Sequence, residues 1–249
     1  MNWFSRFIPA LFLIGLIGCK SGQITWAPPN AGLMQLDSTF KDQDPTAIAL
    51  ISTYKITLDS QMNKIIGTCT YPMQKNRPEG LLGNWAADAV QWESSQTGHY
   101  KWHFTVLNHG GLRTDLPAGN ITLGKIYEVM PFDNELVILG LTKKELLQVV
   151  EIIIAKNGDP ISGIQISKSC DLKLSVLLNG VSLDSIQDSE TIWMATSDYM
   201  ANGGDDYGLL QNISNRKITG ILIRDALVHY IDNKPAIEAA LEGRIILCT

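Results

Sequence analysis

The chain has no run of Lys or Arg. Its 20 basic residues are scattered and outnumbered by 25 acidic ones, for a formal charge of -5. No basic stripe is available to neutralise a polyphosphate backbone, which excludes nucleic-acid polymers as partners. A small anion is not excluded, because one or two Arg in a cleft, helped by backbone N–H groups, act locally. Cysteine is as sparse: Cys19, Cys69, Cys170 and Cys248 match no CxxC or zinc-type spacing. Without Cys19 an odd number remains, which permits at most one internal disulfide and implies no disulfide scaffold. All three read as core residues, since buried free Cys is common. No Gly-x-Ser-x-Gly elbow is present, which leaves a hydrolytic Ser unsupported. The acid-rich residues 196–207 lack the alternate oxygens and twelfth-position Glu of an EF-hand loop, so no metal is assigned there. Internal repeats and low-complexity tracts are absent as well.

Apolar residues, by contrast, make up 45% of the 249, ample for a continuous core. The first of them form an address. Arg6 precedes an apolar stretch, residues 7–18, that is short for a bilayer span. It ends in Leu16-Ile17-Gly18-Cys19, which resembles a bacterial lipobox, where the signal peptide is cut before the Cys and a diacylglycerol joins its sulfur. A plain signal peptide or an N-terminal anchor helix is the alternative. Residues 1–18 are thus expected to be a lipoprotein signal peptide, and residues 19–43, rich in Gly, Pro, Gln and Asn, a tether. Lys20 is not the Asp that retains lipoproteins at the inner membrane in enterobacteria-like sorting. The expected location is therefore outside the cytoplasm, lipid-anchored, with the outer membrane favoured.

Residues 44–249 are expected to be one α+β domain with a mixed sheet and flanking helices. Asp44-Pro45 is a helix opening, followed by apolar Ile48, Ile51, Ile56 and Met62. Residues 64–71 predict a strand, and residues 81–94 a helix with Leu82, Trp85, Ala86, Ala89 and Val90 on one face. Short strands are expected at 104–107 and 136–139. Thr142 with Glu145 predicts a capping box opening a helix that buries Leu146, Val149, Val150 and Ile153. Strands at 163–166, 172–178 and 191–196, a helix at 219–230 and a strand at 244–247 complete the reading.

Three polar or Gly-rich segments stand directly beside expected strands, where loops carry function. Asn108-His109-Gly110-Gly111-Leu112-Arg113 offers close backbone approach, an amide and a guanidinium fork. Met130-Pro131-Phe132-Asp133-Asn134 puts an aromatic ring and an amide on a Pro-fixed loop. The third segment runs Thr196-Ser197-Asp198-Tyr199-Met200-Ala201-Asn202-Gly203-Gly204-Asp205-Asp206-Tyr207. Taken singly each has a bland alternative: a tight turn, a core Phe, a solvated acidic loop. In this order, and with Gly83-Asn84-Trp85-Ala86-Ala87-Asp88-Ala89 upstream, they resemble the C-terminal, substrate-binding domain of the 5'-nucleotidase family. Thr122, Gly124 and Tyr127 also fall where the family leads into its Pro-Phe loop.

The resemblance implies roles. Phe132 and Tyr199 would clamp a nucleotide base between two rings, Tyr199 standing where many relatives have Phe. Asp205 would accept the ribose hydroxyls, Arg113 would meet phosphate, and Asn108 with Asn134 would address polar edges of the nucleoside. One departure is visible: the family's upstream phosphate Arg is here Asn76, and Arg77 could substitute only if its loop re-registers. His109, at a variable position of its motif, is expected to face solvent.

Full-length relatives hydrolyse phosphate esters with a two-metal site in an N-terminal metallophosphatase domain. Here the histidines are His99, His103, His109 and His229, with no Asp-x-His or Gly-Asn-His-Glu text. The expectation is therefore no catalytic residue, metal or cofactor in this chain, with divalent metals held by a partner metallophosphatase in trans. Two functions stay open: the nucleotide- or nucleoside-binding half of a split 5'-nucleotidase in nucleotide catabolism, and a non-enzymatic nucleotide- or nucleoside-binding lipoprotein.

Overall fold

A computed structural model of the chain describes residues 44–248. From Ile48 onward the chain forms one compact unit, to which the sheets and the cleft described below belong. The lipobox with Cys19 and the tether lie outside the described residues.

The central sheet has five strands: β2 (His103–Val106), β4 (Glu135–Leu141), β5 (Ile161–Ser162), β9 (Ile192–Ser197) and β10 (Arg216–Leu222), in the order β10-β4-β9-β2-β5. β2 and β9 run parallel while β4 runs antiparallel to β9, so the sheet is mixed. Three strands, β1 (Ile65–Cys69), β3 (Gly119–Thr122) and β11 (Ala236–Ile237), form a second sheet. Four more, β6 (Ile164–Lys168), β7 (Leu174–Leu178), β8 (Val181–Ser182) and β12 (Ile245–Leu247), form a third. The expected α+β architecture is what the chain adopts, with three sheets rather than one.

Strand alternation splits the core in two. Phe104, Val106, Val137, Leu139, Ile192 and Met194 point to one face, where they meet Leu146, Val149, Val150 and Ile153 of α4 (Lys143–Ala155). Leu136 and Ala195 point to the other, toward Leu82, Trp85, Ala86, Ala89 and Val90 of α2 (Leu81–Gln96) and Ile223, Ala226, Leu227 and Ile231 of α6 (Ile223–Asn233). The Thr142 capping box forms as expected: its hydroxyl accepts the Glu145 N–H at 3.3 Å, and the Glu145 carboxylate accepts the Thr142 N–H at 2.8 Å. The first helix, α1 (Pro45–Met62), opens on Asp44, whose carboxylate accepts the Thr46 N–H at 2.8 Å. No residue of α1 is buried, and Ile48, Ile51 and Ile56 are exposed.

Three expectations are corrected. Residues 219–222 are strand, not helix: Thr219 and Ile221 sit at the end of β10, and α6 starts only at Ile223. The pairing of β10 with β4 is irregular between Ile218 and Leu222, and Gly220 there has φ +74, so the strand carries no clean alternation to read. Leu172 is a turn residue with φ 61, and β7 begins two residues later. Cys170 and Cys248 are not core residues: they form a disulfide that ties the β6–β7 turn to the end of β12. Cys69 is buried and unpaired, as a core Cys would be. Residues 121–130 divide into the end of β3 and helix α3 (Leu123–Val129), capped by the Thr122 hydroxyl.

Candidate functional site

The cleft forms at one end of the central sheet, where parallel β2 and β9 end and antiparallel β4 begins. Beyond β2, Leu107 is buried and Asn108 opens a single 3-10 turn, His109–Gly111. The Asn108 side chain folds back over this turn, so closely that a Cβ on Gly111 would lie 2.8 Å from its Oδ1. The Arg113 N–H donates to the Val129 carbonyl at 2.8 Å, which fixes the backbone, while its guanidinium reaches the Gly110 carbonyl at 3.3 Å and lies 5.8 Å from the Phe132 ring centroid.

Phe132 is presented by the loop before β4, and α6 holds that loop. Arg224 donates to the Asp133 carboxylate at 2.7 Å and to the Phe132 carbonyl at 3.4 Å, with its guanidinium 4.1 Å from the Tyr127 ring centroid. The Asn134 carbonyl accepts the Ile223 N–H at 2.8 Å, which leaves the Asn134 side chain to the cleft.

Beyond β9, Ser197 caps the four-residue helix α5 (Asp198–Ala201) by accepting the Met200 N–H at 3.2 Å. Asp198 joins the strand ends, its Oδ1 accepting the N–H groups of Tyr199 at 2.8 Å and Glu135 at 3.2 Å. The chain then turns through Gly203 at φ +93, and Asp205 and Asp206 follow at φ 50 and 68. Two successive non-Gly residues in the left-handed region are held against their preference. Lys156 supplies part of that restraint, donating to the Asp205 carbonyl at 3.1 Å and lying 3.6 Å from the Asp206 carboxylate. The Asp205 carboxylate accepts the Asn108 Nδ2–H at 2.7 Å on Oδ2 and the Tyr199 hydroxyl at 3.1 Å on Oδ1. Two loops 97 residues apart are thus joined by one side chain.

Beneath the loops lies a buried anchor. The Asp159 carboxylate accepts the His109 backbone N–H at 3.0 Å, the Arg77 guanidinium at 3.2 Å and the Tyr207 hydroxyl at 2.9 Å. Burial, and then Asp159 beside it, push the Tyr207 phenol well above its ordinary value, so it stays a donor. Arg77 also donates to the carbonyls of Lys156 and Gly158. It is committed to this anchor and does not line the cleft in place of Asn76. His109 is half-buried rather than solvent-facing, and burial followed by Arg77 and Lys75 holds its imidazole below the usual range.

The resulting cleft, about 290 Å³, is lined by Asn108, Gly110, Gly111, Arg113, Phe132, Asn134, Tyr199 and Asp205. All six residues singled out from the sequence meet there. Phe132 and Tyr199 are 41% and 43% exposed, high for aromatic rings. Among the described residues no group of three His, Cys, Asp or Glu side chains is placed to hold a metal ion. Sequence reasoning missed the supporting side chains Arg224, Lys156 and Asp159. A signal existed for Asp159, a lone acid before the apolar pair Pro160-Ile161; Arg224 and Lys156 look like ordinary surface charges.

Residues 60–212 match the family described as 5'-nucleotidase, C-terminal domain. The chain is 24% identical over 247 residues to the trifunctional nucleotide phosphoesterase protein YfkN of Bacillus subtilis, a match covering 91% of this chain and 17% of that protein. It is 24% identical over 205 residues to protein UshA of Yersinia enterocolitica, covering 80% of this chain and 36% of that one. The crystal structure of a 5'-nucleotidase precursor from Thermus thermophilus superposes with a TM-score of 0.70 at 26% identity, over 82% of this chain and 43% of the other. The chain therefore spans less than half the length of each of these relatives. With most of its length inside the matched region and the same fold in the solved relative, this chain belongs to the 5'-nucleotidase family, by its C-terminal domain.

Proposed function

We propose that the chain is the nucleotide-binding half of a split 5'-nucleotidase, a lipid-anchored exported protein that presents a nucleotide or nucleoside to a metallophosphatase chain. One observation carries this reading: two exposed aromatic rings share a cleft with one carboxylate, two amides and one guanidinium. Stacking of a base on each ring contributes about 1–3 kcal/mol and tolerates different bases. On this reading Asp205 accepts ribose hydroxyls, and Arg113 offers a fork to phosphate. Asn108 and Asn134 give donors and acceptors to the edges of the nucleoside. These groups bind and orient, and holding a reactant in place lowers the entropic part of a barrier without supplying the reacting water. Hydrolysis is assigned to the partner chain.

Support for export comes from the lipobox at Cys19 and from the Cys170–Cys248 disulfide, since such bonds persist in oxidising compartments. A lipid on Cys19 would also keep this chain and a partner in the same membrane at high local concentration, so a weak contact suffices.

The test is reconstitution. The purified chain with adenosine monophosphate and manganese, zinc or cobalt should release no phosphate above background. Adding a metallophosphatase chain should give hydrolysis that disappears with Phe132→Ala or Arg113→Ala. Robust hydrolysis by this chain alone, surviving repurification, would overturn the split reading. Nucleotide binding that couples to no metallophosphatase would leave the binding lipoprotein as its function.

A further inference from the structure

Each carboxylate oxygen of Asp205 already has a donor before any ligand arrives. Asn108 donates to one carboxylate oxygen at 2.7 Å and the Tyr199 hydroxyl to the other at 3.1 Å. The Tyr199 ring lies on Gly204, where a Cβ would sit 2.5 Å from Cζ, and Lys156 grips the Asp205 carbonyl at 3.1 Å. The bond to Asp205 pushes the Tyr199 phenol above its ordinary value, so it remains a donor throughout the physiological range.

A site discriminates strongly against a ligand that lacks a hydroxyl only when the missing group leaves a site atom unpaired. Here the omission leaves Asp205 with a donor on each oxygen. A ribose hydroxyl can still be accepted, because each carboxylate oxygen has two lone-pair sites, but it adds to a satisfied group rather than rescuing an unsatisfied one. We propose that the Tyr199 hydroxyl sets the sugar specificity of the cleft, standing in for a ligand hydroxyl on Asp205 so that 2'-deoxyribonucleotides bind nearly as well as ribonucleotides. This rests on the reading of the cleft as a nucleotide site. With Phe at position 199 the stacking face is retained, Asp205 Oδ1 loses its donor, and the ligand's 2'-hydroxyl becomes the group that restores it.

The experiment is titration calorimetry of the full chain and of Tyr199→Phe with adenosine and guanosine monophosphates and their 2'-deoxy forms. The wild type should bind each ribo/deoxy pair within about threefold, and Tyr199→Phe should favour the ribo form by about tenfold or more. A hydroxyl that served only to shape the loop would, when removed, weaken both forms equally and leave the ratio unmoved. Discrimination of about tenfold in the wild type, or an unchanged ratio in Tyr199→Phe, overturns the proposal while leaving the nucleotide reading intact. Binding of none of the four nucleotides by the wild type overturns both.

Discussion

The two ends of the central sheet use aromatic side chains in opposite ways. At the end where β2 and β9 begin, Tyr100 packs against His103 and Trp193 at centroid distances of 5.1 and 5.2 Å, each ring satisfied by another. At the end where those strands finish, Phe132 and Tyr199 line one cleft and stay exposed. Burying a ring stabilises a fold, so a ring left out on a backbone held by buried hydrogen bonds is available for something else. The difference sets a packed end against one that, on the proposed function, is kept for a ligand, and each is expected to break without the other.

A covalent reference comes first, because it belongs to neither end. The Cys170–Cys248 bond closes a sequence separation of 78 residues. Replacing both Cys by Ser should lower stability by about 2–5 kcal/mol in urea unfolding, with nucleotide affinity unchanged. A matching loss of affinity would mean that the third sheet also supports the cleft.

The packed end should show itself through pH. His103 is buried beside Ser94, whose hydroxyl is 2.9 Å from Nε2, and burial pushes the ring down to about 4. The unfolded chain takes up this proton near the ordinary value of about 6.5 and the folded chain does not, so the contribution is complete above that value and lost as the pH falls toward 4. The loss is on the order of 3 kcal/mol at most. Urea midpoints measured at about pH 7.5 and about pH 5 should diverge in the wild type and much less in His103→Gln. Equal slopes in the two proteins would show that the ring titrates as it does in water.

The ligand end should respond only in binding. Phe132→Ala or Tyr199→Ala should weaken adenosine monophosphate by about 1–3 kcal/mol while moving the urea midpoint little, since both rings are already exposed. Loss of stability without loss of affinity in either variant would erase the contrast between the two ends.

What the sequence made legible was local. The capping box needs only Thr142 and Glu145, and the buried face of α2 needs only its own spacing. The six cleft residues were found because Gly, Pro and aromatic residues sit in short motifs whose order could be matched, although their ligand roles rest on that likeness. What stayed hidden was long-range. Arg224 meets Asp133 across 91 residues, Asp159 meets Tyr207 across 48, and Cys170 finds Cys248 only because parallel β12 lies against β6. β10 was misread because Gly220 and an irregular register blur its alternation, and its edge is half in solvent. No local pattern encodes such pairings, which depend on the fold being complete.

Gly204 has a consequence for how this protein can change over generations. Its Cα lies under the Tyr199 ring with no room for even one more carbon, yet the ring above it is solvent-facing rather than wedged in the core. A methyl at this position would therefore tilt the ring instead of disrupting the sheet. Most positions near a binding surface make a lineage choose between keeping its fold and altering its ligand. Position 204 separates the two: a single-codon step there would reset the gap between Tyr199 and its neighbours while selection on folding scarcely registers it.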